Sequence, residues 1–378
     1  MAPISESATD FLADLSQESI LPTAATLAAI LDPERTALAD ILQSAGSLRR
    51  KYFQNQVRIH ILNNVRNGHC KEDCGYCAQR KGRQVEIAAY ADKTDAEILA
   101  EARQAWQSGA WRYCMATSGT GLNAKSTERF AKIIRQIKSE MPIQVCLSAG
   151  LVRDPSMAAV LQNAGLDRYN HNLNTAESHY DKICSTHEYQ DRLQTLRTMQ
   201  SAGVSLCSGI IAGLGESDAE LVDMALTLRQ MNVPSIPVNF FIPVEGHAIQ
   251  NPGTLDAERC LRILALFRLT NPSAEIRMAA GRELYLGDRQ PEALAISNSL
   301  FMSGYLNARG QSSDDTIGMI LQAGYEIDVA GSERPDLLKK LLAELQSNKQ
   351  GEQTSSNPSS GLTMKSRTEL RPFENLDN

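Results

Sequence analysis

The sequence predicts an α/β fold, a (β/α)8 barrel of the TIM type, closed or nearly so. Short apolar runs of strand length alternate with helix-length segments through most of the 378 residues. Eight such β units are separated by enough chain for crossover helices, which demands parallel pairing. The first dense group of chemistry-bearing residues follows the first strand, at the end where barrels carry their sites. An open doubly wound sheet is the runner-up.

Residues 1–50 read as an N-terminal extension of amphipathic helices, broken at Asp32-Pro33. The barrel is assigned to 51–330. Its candidate strands are 57–62, 112–116, 144–148, 168–173, 205–212, 237–242, 275–280 and 299–303. Helix-like segments lie between them, among them 94–108, 127–139, 189–202, 218–231 and 256–269. A C-terminal helix is expected over 331–346. The stretch 347–378 is rich in Ser, Asn, Gln and Gly and is expected to be disordered, because it offers too little apolar surface to offset its ordering entropy.

The net charge of -6 argues against a broad basic surface and against nucleic acid as a partner. No apolar run approaches the roughly 20 residues of a spanning helix. Glu6, Asp10, Asp14 and Glu18 precede the first basic residue, Arg35, which fits neither a secretory nor a mitochondrial leader. A tight cysteine group suits metal in a reducing compartment better than disulfides, so a cytoplasmic protein is expected.

That group is Cys70, Cys74 and Cys77, in the pattern C-x3-C-x2-C. Structural zinc wants four ligands, and His60 or His69 could complete such a site. Three thiolates alone suit a four-iron cluster that keeps one iron open. Inert burial is disfavoured because the segment is polar and loop-like.

The triad in its setting, residues 69–78, resembles the radical S-adenosylmethionine superfamily. The resemblance implies a barrel of the radical SAM type and a [4Fe-4S] cluster whose open iron chelates S-adenosylmethionine. It further implies reductive cleavage of that cofactor to a 5′-deoxyadenosyl radical. Tyr76 matches the aromatic residue that lies against adenine in the family; otherwise it is a loop anchor. The run 209–216 matches the G-x-I-x-G-x-x-E pattern, which carries cofactor-binding roles to Gly209, Ile211, Gly213 and Glu216. On its own that run also fits a strand ending in a glycine turn.

Cys114, Cys146, Cys207 and Arg277 fall in the second, third, fifth and seventh predicted strands, and alternation lets each point into the barrel. A free cysteine is as often core filler as ligand. Arginine is almost never buried without a partner, and a thiolate-bound cluster would supply one. From about Tyr52 to Ala323 the chain resembles the biotin synthase family within that superfamily. The resemblance makes these four residues ligands of an auxiliary [2Fe-2S] cluster whose sulfide is inserted into dethiobiotin to form biotin. Asn172 would bridge cofactor and substrate, Asn174 would contact the ribose, and Asn239 would meet the ureido ring. No catalytic residue is expected beyond the cluster ligands.

A flavodoxin- or ferredoxin-type electron donor and a homodimer are implied in the same way. His171 is expected to support structure. His247 stands where many members carry threonine. Residues 287–289 and the loop 305–310 occupy family-like places near the barrel end. Cys184 and Cys260 match no ligand position. The rivals are another radical enzyme on a similar barrel, performing hydrogenase maturation or a carbon-skeleton rearrangement, and a non-catalytic iron–sulfur protein.

Overall fold

The computed structural model describes residues 22–249, 253, 255–331 and 363–374. Among these residues ten strands form, all parallel: β1 (Gln56–Arg66), β2 (Arg112–Thr117), β3 (Gln144–Ser148), β4 (Arg168–Asn170), β5 (Ser205–Cys207), β6 (Ile210–Ala212), β7 (Ser235–Phe240), β8 (Glu275–Met278), β9 (Ser299–Phe301) and β10 (Glu326–Asp328). Their order is β5-β4-β3-β2-β1-β9-β8-β7-β6, and β10 pairs with the start of β1.

The two end strands of that order belong to one run of chain. β5 pairs with β4 and β6 with β7, and the Ser208 amide donates to the Ser235 carbonyl at 3.0 Å. The sheet therefore comes round on itself, which removes the open doubly wound alternative. The single strand expected over 205–212 is split at Ser208-Gly209. A β-carbon at Gly209 would overlap the Pro237 carbonyl of the neighbouring strand, so the backbones can meet only at glycine.

Helices wrap the outside: α1 (Ala24–Leu31), α2 (Leu38–Phe53), α3 (Asp95–Gln107), α4 (Ala124–Glu140), α5 (Pro155–Asn163), α6 (Tyr189–Ser201), α7 (Asp218–Gln230) and α8 (Ala257–Thr270). Their starts follow from local chemistry. Thr94 and Glu97 form a capping box at α3, as do Ser217 and Glu220 at α7, and Asp154 with Pro155 opens α5. Helices α1 and α2 lie across α8, where Arg262 donates to the Ile30 carbonyl at 2.9 Å. Short helices α9 (Arg282–Leu286) and α10 (Gln290–Leu294) precede β9, and α11 (Ser313–Gln322) follows it. Helix α5 is one of the expected crossovers, though its limits were not named, and strand β10 was not expected from the sequence.

The main core fills the layer between strands and helices. A second, smaller core lies inside the ring, made of Cys114, Cys146, Cys207, Ala279 and Phe301, with Leu62 and Tyr305 against it. Within the stretch expected to be disordered, residues 363–374 have a defined place: they carry helix α12 (Arg367–Leu370) and pack on the barrel mouth. The helix expected over 331–346 lies outside the described residues except at 331, as do 1–21, 347–362 and 375–378. No described helix is long and apolar enough to cross a membrane.

Candidate iron–sulfur and substrate site

The triad sits on the loop after β1. Cys74 is buried, while Cys70 and Cys77 are half-buried, and all three are free thiols. This loop is stitched to residues 183–187, far away in sequence. The Gly75 amide donates to the Ile183 carbonyl at 2.7 Å, and Asp73 accepts from the Ser185 amide at 3.0 Å. Glu72 meets His187 Nδ1 at 2.8 Å. Cys184 Sγ stands 3.8 Å from Cys74 Sγ. The hydrogen bond between them, with burial, pushes the Cys74 thiol far up; the same bond, helped by His187 and Thr186, holds Cys184 well below the ordinary thiol range.

Neither histidine proposed to complete a zinc site joins the triad. His60 lies inside the barrel, 3.2 Å from Glu275, and His69 is exposed. Instead Cys74, Cys184 and His187 gather closely enough to hold one ion. The spacing C-x2-H was visible in the sequence, but its contact with Cys74 was not.

Cys114 and Cys146 are register partners on β2 and β3, and Cys146 is within hydrogen-bonding reach of both Cys114 and Cys207. Arg277 Nη1 lies 3.7 Å from Cys207 Sγ. The Nε of Arg277 is buried with no hydrogen-bond partner among the described residues. Burial raises the Cys114 thiol, but the bond to Cys146 and the charges of Arg277 and Arg112 outweigh it, and the net direction is down. Three converging thiols above an orphaned guanidinium N–H form a donor set that fits a thiolate-bound, anionic cluster.

The sequence reading gave Arg277 no protein counter-charge; the structure supplies Glu275. Its carboxylate is 2% exposed and meets Arg277, Arg112 Nη1 at 3.2 Å and Ser235 Oγ at 3.0 Å. Arg168 also reaches this chamber, where its charge is felt by Cys146 and Cys207. Arg58 Nη1 also lies 3.8 Å from Glu275 but is held by Asp328, so Arg112, Arg168 and Arg277 against one carboxylate leave the floor positive. Residues 275 and 277 share one face of β8, so the pairing follows from strand period.

Between triad and chamber lies a cavity of about 180 Å³, open to solvent at its mouth. Tyr76, Cys77, Asn172, Asn174, Ile211 and Asn239 line it, joined by His247, Tyr305 and Met364. Gly209, Gly213 and Glu216 do not line it. The Glu216 carboxylate accepts from the Gly213 and Leu214 amides at 2.7 and 2.8 Å and so closes a turn.

Asn174 adopts φ 71°, a left-handed conformation that asparagine tolerates. Its side-chain oxygen accepts from the Tyr76 hydroxyl at 2.5 Å and from Arg192 Nη2 at 3.0 Å. Asn172 Oδ1 accepts from the Gly209 amide at 3.1 Å. Asn239 Nδ2 donates to the Ile210 carbonyl at 2.8 Å, and its oxygen accepts from the Ala280 amide at 3.2 Å. The His247 ring stacks on Phe241, centroids 5.6 Å apart. Tyr305 stands between the two thiol sets, close enough to feel Cys207, Cys114 and Cys77. His171 is buried in the fold, and Cys260 is packed within α8.

Two family models match the chain: the Radical SAM superfamily over residues 65–228 and the Biotin and Thiamin Synthesis associated domain over 237–326. Biotin synthase of Leptospira interrogans is 52% identical over 296 residues, covering 78% of this chain and 84% of that protein. Biotin synthase of Acaryochloris marina is 50% identical over 310 residues, 82% of this chain and 89% of that protein. Among solved structures, the FeFe-hydrogenase maturase HydG from Carboxydothermus hydrogenoformans shares the fold, with TM-score 0.74, 15% identity and coverage of 91% of this chain and 90% of that one. A radical SAM barrel holding one thiol triad at its mouth and a second, arginine-floored thiol set inside, with such identity over most of both chains, belongs to the biotin synthase family.

Proposed function

We propose that this enzyme inserts sulfur into dethiobiotin to form biotin, with S-adenosylmethionine as co-substrate. The observation that carries the reading is the pairing of two thiol sets across one cavity, with Tyr305 between them. Cys70, Cys74 and Cys77 would hold the [4Fe-4S] cluster; Cys114, Cys146, Cys207 and Arg277 would hold the [2Fe-2S] cluster. When bound, the first supplies the electron that cleaves the sulfonium, and the second supplies the sulfur atom of the product.

The chain's own part is placement and exclusion. Asn239 spends one N–H and one lone pair on neighbouring strands, which fixes its amide and leaves one of each for a ureido group. Tyr76, Asn174 and Arg192 brace one another beside the triad, so an adenosyl group would meet a preset wall. Phe241, Ile242 and Ile211 give the cavity apolar wall between its polar anchors, which limits the water that could reach a radical. Holding reactants in near-attack positions matters because displacement by about 1 Å can cost roughly 100-fold.

The free thiols fit a reducing cytoplasm, and a flavodoxin- or ferredoxin-type donor and a homodimer follow the family pattern. The test is biotin formation by the anaerobically reconstituted protein given dethiobiotin, S-adenosylmethionine and a reductant. Cofactor cleavage with no biotin, under conditions where a known biotin synthase turns over, would replace this reading with another radical reaction.

A further inference from the structure

We infer that residues 363–374 are a strap that closes the substrate cavity, and that Met364 is a specificity-determining wall residue for dethiobiotin. The inference rests on reading that cavity as the dethiobiotin site.

The strap is held by three kinds of contact. Its backbone pairs antiparallel with the loop after β9: the Arg309 amide donates to the Thr363 carbonyl at 2.9 Å, and the Lys365 amide donates to the Asn307 carbonyl at 2.8 Å. Its apolar anchor is Leu370, buried beside the mouth. Its charges are matched by the barrel. Glu369 meets Arg309 at 2.7 Å, and Arg371 meets Glu97, itself fully buried, at 2.7 Å while lying over the Tyr90 ring. An exposed pair such as Glu369–Arg309 contributes little alone, but a buried carboxylate such as Glu97 needs its cation.

Two consequences place this segment in the chemistry. The pairing puts Met364 into the wall of the cavity that Cys77 and Gln79 also line. It also clamps the loop whose Tyr305 stands between the two thiol sets. A methionine is flexible and polarisable, suited to follow an aliphatic acid chain. A strap that pins the Tyr305 loop would also narrow the mouth once substrate is bound.

The test uses the full chain, reconstituted without air and loaded with S-adenosylmethionine. Reductant is withheld so that nothing turns over. Dethiobiotin affinity is read by equilibrium titration, and hydrogen exchange at the Arg309 amide reports whether the strap is docked. Glu369→Ala combined with Arg371→Ala changes strap residues alone, and Glu97, which loses its cation, regains water when the strap lifts; Arg309 exchange should rise about tenfold or more, and dethiobiotin affinity should fall about fivefold or more. Met364→Ala should leave Arg309 protected yet weaken dethiobiotin about threefold, with Met364→Leu recovering most of the loss.

Affinity unchanged within twofold in both the double variant and Met364→Ala would overturn the inference, as would an Arg309 amide that stays protected in the double variant. Failure of the unaltered chain to bind dethiobiotin would instead sink the reading of the cavity, and the strap's role with it.

Discussion

Glu275 and Arg277 lie two residues apart on β8 and grip each other inside the barrel, carboxylate to guanidinium. Arg112 and Ser235 share the same carboxylate, so one anion organises the floor beneath three thiols. Glu275→Gln keeps the shape and removes the charge. The cluster-free protein should lose about 3–5 kcal/mol of stability, the cost of leaving buried charge uncompensated. The reconstituted protein should lose less, because thiolate-bound iron supplies negative charge in its place. Denaturant titration of both forms checks this, and equal losses would argue that Glu275 acts independently of the cluster site.

The two thiol sets should be separable by mutation. Cys74→Ala is expected to abolish cleavage of S-adenosylmethionine. Cys146→Ala should impair biotin formation at least about 100-fold while part of the cleavage survives. Product analysis for 5′-deoxyadenosine and biotin distinguishes them; parallel loss of both products in Cys146→Ala contradicts separate roles.

Cys184 neighbours the triad without belonging to its motif. Cys184→Ser should retain iron and cofactor cleavage within about threefold, since a hydroxyl can keep the hydrogen bonds to Asp73 and His187. Iron and sulfide analysis with electron paramagnetic resonance of the reduced protein gives the answer. Loss of the outer cluster signal would make Cys184 a ligand.

Gly209 is where two strand backbones touch. Gly209→Ala should destabilise the fold by about 3 kcal/mol or more, because the obstacle is the Pro237 backbone carbonyl and not a side chain that can swing away. A midpoint of denaturation matching that of the unaltered protein would show that the strands can part there.

Lys365 gives the strap a pH dependence. Burial holds its ammonium below the usual range, at about 8, although Glu369 and Glu283 pull upward. Once the strap is released, the side chain returns to about 10.4. Between these values the released form binds more protons, so docking should strengthen as pH rises from about 8 to 10. The protection factor of the Arg309 amide should rise across that window, and a fall would contradict the assignment.

Most of the barrel was legible because apolar runs bounded by glycine and proline mark strands on their own. Residues 144–148 form a strand at the limits expected, between Pro142 and Gly150. The split at Ser208-Gly209 was hidden, since 205–212 reads as one run of strand length and only the neighbouring Pro237 reveals the crowding. Spacing marked the outer cysteine triad and alternation let the strand cysteines face inward, while the ligand roles of the inner set came from the resemblance. The buttress at 183–187 was not, because its contacts with 72–75 join segments more than 100 residues apart. The segment 363–374 looked like polar tail, since its anchors are one leucine and charges whose partners lie elsewhere in the chain.

The surplus of arginine in the inner chamber bears on the order of assembly. Arg112 and Arg277 are already paired with Glu275, and Arg168 lies near enough to feel its charge, so the ring can close around an empty centre without waiting for metal. What the polypeptide then offers is a finished receptacle that still carries net positive charge. Iron and sulfide would enter a template already folded, and the same imbalance would draw a replacement after each sacrificed sulfur.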